Sequence, residues 1–318
     1  MLNDPEILDG LSSQIVGRRR ELELLVAALG TNRHVLFEGP PGTGKSTILR
    51  TLAARADSGL VFVEGNAELT PARLAGQFDP SRVMAEGYAP HVFVDGPLVE
   101  ALRTGSLLYV EELNRVPEET INLLITVMSE GELTLPRLGR IQAAEGFRFV
   151  AAMNPFDNIG TTRVSSAIYD RMSRISLEYQ SFEEEQEIVC RRAEPFKARE
   201  PTDASEILLR RAVAVSRATR RHPDLRIGSS VRGAIDLVEL AVGLATIRTA
   251  EIDDPAIGLD AALVAVSGRI RLHEGTDRSP EEVVTELWEL IVSSEGSTSA
   301  ADDPGKAPAP QGAATALR

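Results

Sequence analysis

Short apolar runs alternate with longer amphipathic segments along the first part of the chain. The runs are HVLFEG, LVFVEG, SLLYVEE, FRFVAAMN and RISLEY, which begin at residues 34, 60, 106, 147 and 174. Runs of this length, rich in branched and aromatic residues, are typical of strands buried on both faces. Strands separated by helix-length segments favour a parallel sheet with helices on both faces. We therefore predict an α/β domain over residues 1–180, with a parallel five-stranded sheet.

The pattern changes to helices alone from residue 181 onward. Apolar positions at helical spacing predict helices over 182–192, 204–221, 229–245, 257–272 and 280–291. The last of these begins with Ser279 as a cap, Pro280 in the first turn and acidic residues after it. We predict a small all-α domain over 181–292. The Ser-, Ala-, Gly- and Pro-rich segment 293–318 predicts a disordered tail, with a docking peptide as the alternative.

Composition limits the classes of protein that the chain can represent. The formal net charge is −13, which argues against broad affinity for nucleic acid, although local basic loops remain open. No stretch approaches the roughly 20 apolar residues of a membrane helix, so we expect a cytoplasmic protein without a membrane span. The single cysteine, Cys190, lies in a helical pattern, and the four histidines show no metal-ligand spacing. We expect no metal beyond magnesium.

A glycine-rich segment, EGPPGTGKST, follows the first apolar run and precedes a helical pattern. It satisfies G-x-x-x-x-G-K-[ST], a loop whose backbone N–H groups close around phosphate at a helix N-terminus. Lys45 is predicted to reach the β- and γ-phosphates, and Ser46 to ligate Mg²⁺. The predicted nucleotide-binding residues are Gly39, Pro40, Pro41, Gly42, Thr43, Gly44, Lys45, Ser46 and Thr47.

Two adjacent acids, Glu111 and Glu112, end the third apolar run. Side chains alternate along a strand, so these carboxylates should point in different directions and have different roles. In a P-loop site one acid lies near the metal and the other orients the attacking water. We assign Glu111 to the metal and Glu112 to the water.

These motifs together resemble the AAA+ ATPases, and their details resemble the MoxR branch. The resemblance covers about residues 15–292 and includes EGPPGTGKST, LLYVEELNR and the Asn that ends FRFVAAMN. The run GPLVEALRTGSLLYVEELNR is similar to the MoxR pattern in which G-P-x-x-x-A-x-x-x-G precedes the second acidic motif. Glu111 stands where that family has Asp. The extra methylene requires a differently spaced metal contact.

The resemblance implies roles for three further polar residues. Asn154 would be the first sensor, which helps Glu112 to place water, although an Asn before Pro155 also suits a simple turn. Arg171 matches the arginine that reaches the neighbouring subunit's nucleotide and supplies transition-state charge, with Arg174 as the rival. Arg232 resembles the second sensor, which would contact the γ-phosphate from the helical lid domain.

Ile15 and Val16, followed by Gly17, match the family's segment that flanks adenine. An apolar lead-in to the next helix is an equally good interpretation.

Two segments resemble the loop insertions of the family. Residues 78–97 are predicted to be β-like runs around a Gly-Tyr-Ala-Pro turn, and 131–146 a second hairpin through RLGR. The candidate substrate contacts are Tyr88, Phe93, Arg137 and Arg140. Hairpins that only pack between subunits are an equal alternative.

The resemblance implies an ATP-hydrolysing, chaperone-like remodelling ATPase that binds ATP and Mg²⁺. It implies a homo-oligomeric, hexameric ring that acts on a protein client such as a metalloenzyme. A partner protein with a von Willebrand factor A domain is also implied. The alternatives are a nucleic-acid motor of the restriction-motor type and an ATP-gated scaffold with little turnover.

Overall fold

The computed structural model describes residues 5–56, 58–155, 165–197 and 202–298. The helices are α1 (Pro5–Gln14), α2 (Arg19–Gly30), α3 (Lys45–Arg55), α4 (Pro71–Ala75), α5 (Pro80–Glu86), α6 (Pro97–Thr104), α7 (Glu118–Glu130), α8 (Ser166–Arg171), α9 (Phe182–Arg192), α10 (Glu194–Lys197), α11 (Asp203–Thr219), α12 (Val231–Arg248), α13 (Pro255–Val266) and α14 (Pro280–Thr298). The strands are β1 (His34–Glu38), β2 (Leu60–Glu64), β3 (Gly76–Phe78), β4 (Phe93–Asp95), β5 (Leu107–Glu111), β6 (Glu132–Leu135), β7 (Gly139–Gln142), β8 (Arg148–Met153), β9 (Met172–Ser176), β10 (Leu225–Ile227) and β11 (Arg271–Leu272).

Strands β1, β2, β5, β8 and β9 form one parallel sheet in the order β2-β5-β8-β1-β9. These strands arise from the five apolar runs, and the predicted AAA+ α/β fold with a helical C-terminal region is confirmed. Parallel strands end at the same edge of a sheet. Glu111, which ends β5, therefore lies along the carboxyl edge with Asn154 and Gly39, which follow β8 and β1.

Alternate residues of each strand enter different cores on the two faces of the sheet. Phe37 and Tyr109 belong to a cluster with residues of α1, α2 and α3, whereas Leu36 and Val110 belong to a cluster with α6 and α7. Because helices cover both faces, the strands have no polar side and appear in the sequence as unbroken apolar runs.

The chain divides into two compact units after Ile188, within α9. The sequence pattern placed this division before α9. The first turn of α9 belongs to the first unit because Ser181 and Glu184 cap it reciprocally, and the Glu184 carboxylate lies against Gly17. A Cβ atom at Gly17 would meet Glu184 Oε1 at 2.4 Å.

The second unit is built from helices, with one short antiparallel pair, β10 and β11, that the all-α prediction lacked. Helix α14 begins with the predicted Ser279 cap and ends at Thr298. The predicted tail boundary at 293 was therefore too early. Glu295 pairs with Arg211 at 2.8 Å, which anchors the last turns. The remainder of the predicted tail, 299–318, lies outside the described residues.

The two insertions differ from each other in structure. In the first, β3 pairs with β4, but α5 and a 3₁₀ turn at Pro90–Val92 fill the space between them. The predicted β-like runs are therefore confirmed only for this short pair, and a helix and a 3₁₀ turn flank Gly-Tyr-Ala-Pro itself. Asp79 accepts hydrogen bonds from Ser81 N and Arg82 N, and such a cap followed by proline starts a helix. In the second, β6 and β7 form the predicted hairpin.

Candidate functional site

The glycine-rich loop closes around the ammonium group of Lys45. Lys45 Nζ donates to the carbonyl oxygens of Gly39 and Pro40, at 2.9 Å each, and the residue is 8% exposed. Gly44 (φ 87°) directs the chain from the loop into α3, which begins at Lys45. Only glycine adopts this conformation without strain. The loop therefore lies at a helix N-terminus with its lysine held inside it, as a phosphate site requires.

Ser46 and Glu111 meet at the carboxyl edge of the sheet. The Ser46 hydroxyl lies 3.0 Å from both Glu111 Oε1 and Glu111 Oε2. A carboxylate only accepts, so serine donates its proton and keeps its oxygen lone pairs for another partner. Hard oxygen ligands of this kind suit Mg²⁺. These two residues fit the predicted metal, which would stabilise phosphate charge when bound.

Glu112 leaves the strand in a different direction from Glu111. Its backbone is left-handed, with φ 54° and ψ 45°, a conformation that costs a non-glycine residue about 1–2 kcal/mol. Its carboxylate forms an ion pair with Arg115 at 2.9 Å. The turn thus separates the two acids, in keeping with the different roles predicted for them.

Asn154 follows β8, between the ends of β1 and β5. Its carbonyl oxygen accepts from Asn114 Nδ2 at 3.5 Å, and Asn114 is buried. Sequence reasoning assigned no role to Asn114. The sequence feature that could have indicated a role is its position in LNR, two residues after Glu112. The contact ties the turn that carries Glu112 to the residue predicted to be the first sensor.

The two candidate trans arginines have different partners within the chain. Arg171 Nε donates to Ser129 Oγ at 2.7 Å, whereas Arg174 Nη1 lies 3.0 Å from Glu38 Oε2. Glu38 is buried immediately before the P-loop and also accepts from the Tyr169 hydroxyl at 2.7 Å. Burial, and then the hydrogen bond to Glu38, raises the pKa of Tyr169 to about 12. Both arginines reach the surface, and the choice between them stays a prediction.

Arg18 is a buried residue that sequence reasoning missed. It follows the predicted adenine segment, in which Ile15 and Val16 are each 8% exposed. Arg18 Nη2 donates to the carbonyl oxygens of Thr43 and Glu178 and to Gln180 Oε1. Burial lowers the pKa of its guanidinium, and Glu21 raises it. Arg18 thus links the adenine segment, the P-loop and the chain after β9.

Arg232 belongs to the second unit. It is exposed and is the second residue of α12, so the predicted helix-start position is correct. Its role as second sensor stays a prediction.

The candidate substrate contacts join the two insertions. The Arg137 guanidinium carbon lies 3.7 Å from the centre of the Tyr88 ring, a cation–π contact. Phe78 packs edge-on against both Tyr88 and Phe93, with ring centres 5.1 Å apart in each case. Arg140 instead pairs with Glu132 within the hairpin, at 3.1 Å. An aromatic cluster therefore connects the first insertion with the tip of the second.

The sheet order, the P-loop and the helical C-terminal region define an AAA+ P-loop fold. Residues 34–172 match the family model described as an AAA domain of the dynein-related subfamily.

Across the part of the chain that the structure describes, no helix has the length and apolar character needed to span a membrane.

Two bacterial proteins that are similar in sequence are both described as uncharacterized. YeaC of Bacillus subtilis is 29% identical over 261 residues, which cover 76% of this chain and 78% of YeaC. A protein of Staphylococcus haemolyticus is 33% identical over 155 residues, covering 48% of this chain and 58% of that protein. The chain thus matches little more than half the length of the staphylococcal relative.

Similar solved structures share the fold. An inferred ATPase of Cytophaga hutchinsonii has a TM-score of 0.50 and 22% identity, covering 90% of this chain and 93% of that chain. RuvB of Thermotoga maritima, a Holliday junction branch migration motor, has a TM-score of 0.51 and 21% identity, covering 78% of this chain and 70% of that chain. At these identities the likeness shows the AAA+ fold alone.

Proposed function

We propose that this protein is an ATP-hydrolysing remodelling ATPase of the MoxR type. It acts as a hexameric ring on a protein client such as a metalloenzyme, with a partner protein that carries a von Willebrand factor A domain. The observation that carries the proposal is the contact of Ser46 with Glu111, beside a P-loop that encloses Lys45. Glu112, turned away from Glu111 by its left-handed backbone, is the candidate base for the attacking water.

The residues of the candidate site have separate roles in this activity. The P-loop N–H groups and Lys45 bind and orient the phosphates, and Ser46 and Glu111 would hold Mg²⁺. Arg171 on the surface supports catalysis shared between subunits, because a guanidinium supplied in trans stabilises the transition-state charge. The aromatic cluster and Arg137 supply a surface for an extended segment of a client.

The first test is ATP turnover as a function of protein concentration. Turnover per subunit is expected to rise with concentration, and Glu112→Gln and Arg171→Ala are expected to reduce it at least a hundredfold while ADP binding persists. Glu119→Gln and Arg73→Ala change exposed residues of the same types and should remain within twofold of wild type. Arg174→Ala tests the rival arginine.

Two outcomes would contradict the proposal. Turnover that is independent of concentration, with an active Arg171→Ala variant, would refute the shared site. ATP binding without turnover in the wild type would favour the ATP-gated scaffold instead.

A further inference from the structure

Two side chains on either side of Arg171 bind one buried carboxylate. Arg171 is the last residue of α8, and β9 begins at the next residue, Met172. Tyr169, two residues before Arg171, donates its hydroxyl proton to Glu38 Oε1 at 2.7 Å. Arg174, three residues after Arg171, donates to Glu38 Oε2 at 3.0 Å. Each oxygen of the carboxylate thus has a donor from one side of the corner between α8 and β9, residues 169–174.

The strand pairing explains how these contacts arise. Strands β1 and β9 are parallel neighbours, with Leu36 paired in register to Arg174 and Glu38 to Ser176. Residues two apart along a strand have side chains on the same face, so Arg174 can reach diagonally across to Glu38. On the other side of the corner, Ile168 of α8 is completely buried. The corner is therefore held by packing in the core and by two hydrogen bonds to Glu38.

Stability alone does not explain a carboxylate at this position. After His34, β1 is buried along its length, and Glu38 is 6% exposed. Replacement of a buried ion pair by well-packed apolar residues is often neutral or stabilising. A carboxylate adds direction, because its two oxygens accept hydrogen bonds from donors at defined positions. Glu38 can therefore fix the orientation of the segment that carries its donors.

The position of the Arg171 guanidinium depends on this corner. Arg171 Nε donates to Ser129 Oγ of α7 at 2.7 Å, and Arg171 Nη1 donates to the carbonyl oxygen of Ala167 at 3.1 Å. The Arg171 side chain is 35% exposed. A rotation of the corner would break the contact with α7 and change the direction in which the guanidinium faces.

We propose that Tyr169 and Arg174 are positioning residues that act through Glu38 to hold Arg171 in the orientation needed to reach the neighbouring subunit's nucleotide. Arg174 is then a support, and Arg171 is the arginine that acts in trans. A guanidinium that is already oriented stabilises transition-state charge without reorganisation during the reaction. The inference rests on the proposed ATPase function.

Mixtures of full-length variants test the direction of this effect. Arg171→Ala subunits keep Glu112, and Glu112→Gln subunits keep Arg171, so a mixture should recover ATP turnover where the two meet. Tyr169→Phe added to the Glu112→Gln subunits is expected to lower the recovered kcat about five- to tenfold. This is less than the full effect of one hydrogen bond to a charged group, because Tyr169 is 40% exposed and water can replace part of it.

The same change in the other subunit separates positioning from a general structural effect. Tyr169→Phe in the Arg171→Ala subunits should change the recovered kcat less than twofold, because the arginine that it positions is absent there. KM for ATP should stay within twofold in both mixtures, since the proposed role is in the transition state. Equal losses from the two placements, or no loss in the Glu112→Gln subunits, would overturn the inference.

A second substitution removes the other donor and has a matched control. Arg174→Met in the Glu112→Gln subunits should also lower the recovered kcat. The side chains of Arg73 and Arg174 are 63% and 60% exposed, and each pairs with a glutamate at 3.0 Å, so Arg73→Met should stay within twofold. No recovery in the mixture that keeps Tyr169 would instead contradict the shared site of the proposed function, on which the inference depends.

Discussion

Replacing Arg18 by Met is expected to destabilise the first unit by about 3 kcal/mol. The side chain is 4% exposed, and methionine keeps most of its apolar stem while losing all the contacts of the guanidinium. Glu178 and Gln180 lie near the surface, so water can replace Arg18 there. Thr43 is 1% exposed, and its carbonyl oxygen would be left without this donor. The variant loses one charge-assisted hydrogen bond, worth about 1.5–3 kcal/mol, and leaves a buried carbonyl oxygen without it. Together these losses exceed the desolvation penalty that is avoided when the buried guanidinium is removed.

Calorimetric unfolding with and without ADP measures this effect. For a unit of about this size, a loss of about 3 kcal/mol lowers Tm by about 6–12 °C. Because Thr43 belongs to the P-loop, the rise in Tm caused by ADP should also be smaller in the variant. Arg18→Lys keeps the charge but not the planar fork, so its Tm should fall between those of wild type and Arg18→Met.

The adjacent arginine is a matched control. Arg19 has a side chain that is 53% exposed and pairs with Asp9 and Glu23; such surface pairs contribute about 0–1 kcal/mol. Arg19→Met should therefore stay within about 3 °C of wild type. If Arg18→Met behaves like Arg19→Met, the buried contacts of Arg18 contribute no net stability and the reasoning is refuted.

Three further changes test other parts of the first unit. Burial, followed by the charge of Arg148, lowers the pKa of His34 to about 4. Neutral His34 thus stabilises the fold above pH 6.5, and acidification from pH 7 to 5 should cost about 2 kcal/mol in calorimetry. Gly65→Ala would place a Cβ atom 2.6 Å from the carbonyl oxygens of Glu111 and Glu112, so we expect a loss of about 2–3 kcal/mol and at least tenfold lower turnover. A cycle of Tyr88→Leu with Arg137→Gln should give about 0.5–1 kcal/mol of coupling in urea unfolding.

Each of these tests has its own control. His34→Gln should lose less stability than wild type over the same pH range, whereas exposed His273→Gln should follow wild type; equal losses in all three would exclude His34 as the cause. Gly243 lies in α12 with no atom within 4 Å of an added Cβ, so Gly243→Ala should be neutral or stabilising. Additive effects of the Tyr88 and Arg137 substitutions would show that the insertions are not linked.

The central sheet and the P-loop could be predicted because their signals are local. A strand buried on both faces produces an apolar run, and a phosphate loop requires glycine and lysine at fixed spacing. The contact of Ser46 with Glu111 followed from the same logic, since both residues lie at the carboxyl edge of the sheet.

Arg18 and the link between Tyr88 and Arg137 could not be predicted in the same way. Both depend on residues that are distant in sequence and meet only after the chain has folded. Arg18 was hidden among neighbouring arginines, two of which, Arg19 and Arg20, are exposed. The extension of α14 was missed because its serines suggest a turn, whereas Ser293 and Ser294 donate to carbonyls of the preceding turn.

The carboxylate of Glu38 connects the strand that leads into the P-loop with the segment around Arg171. It ends the strand that leads into the P-loop, and it binds Tyr169 and Arg174 on either side of Arg171. In the proposed ring, Arg171 would act on the nucleotide of the neighbouring subunit. The residues on either side of it bind the same carboxylate that precedes the subunit's own P-loop. A displacement of Glu38 would therefore change the entry to the P-loop and the segment around Arg171 at the same time, which would couple the two in the proposed ring.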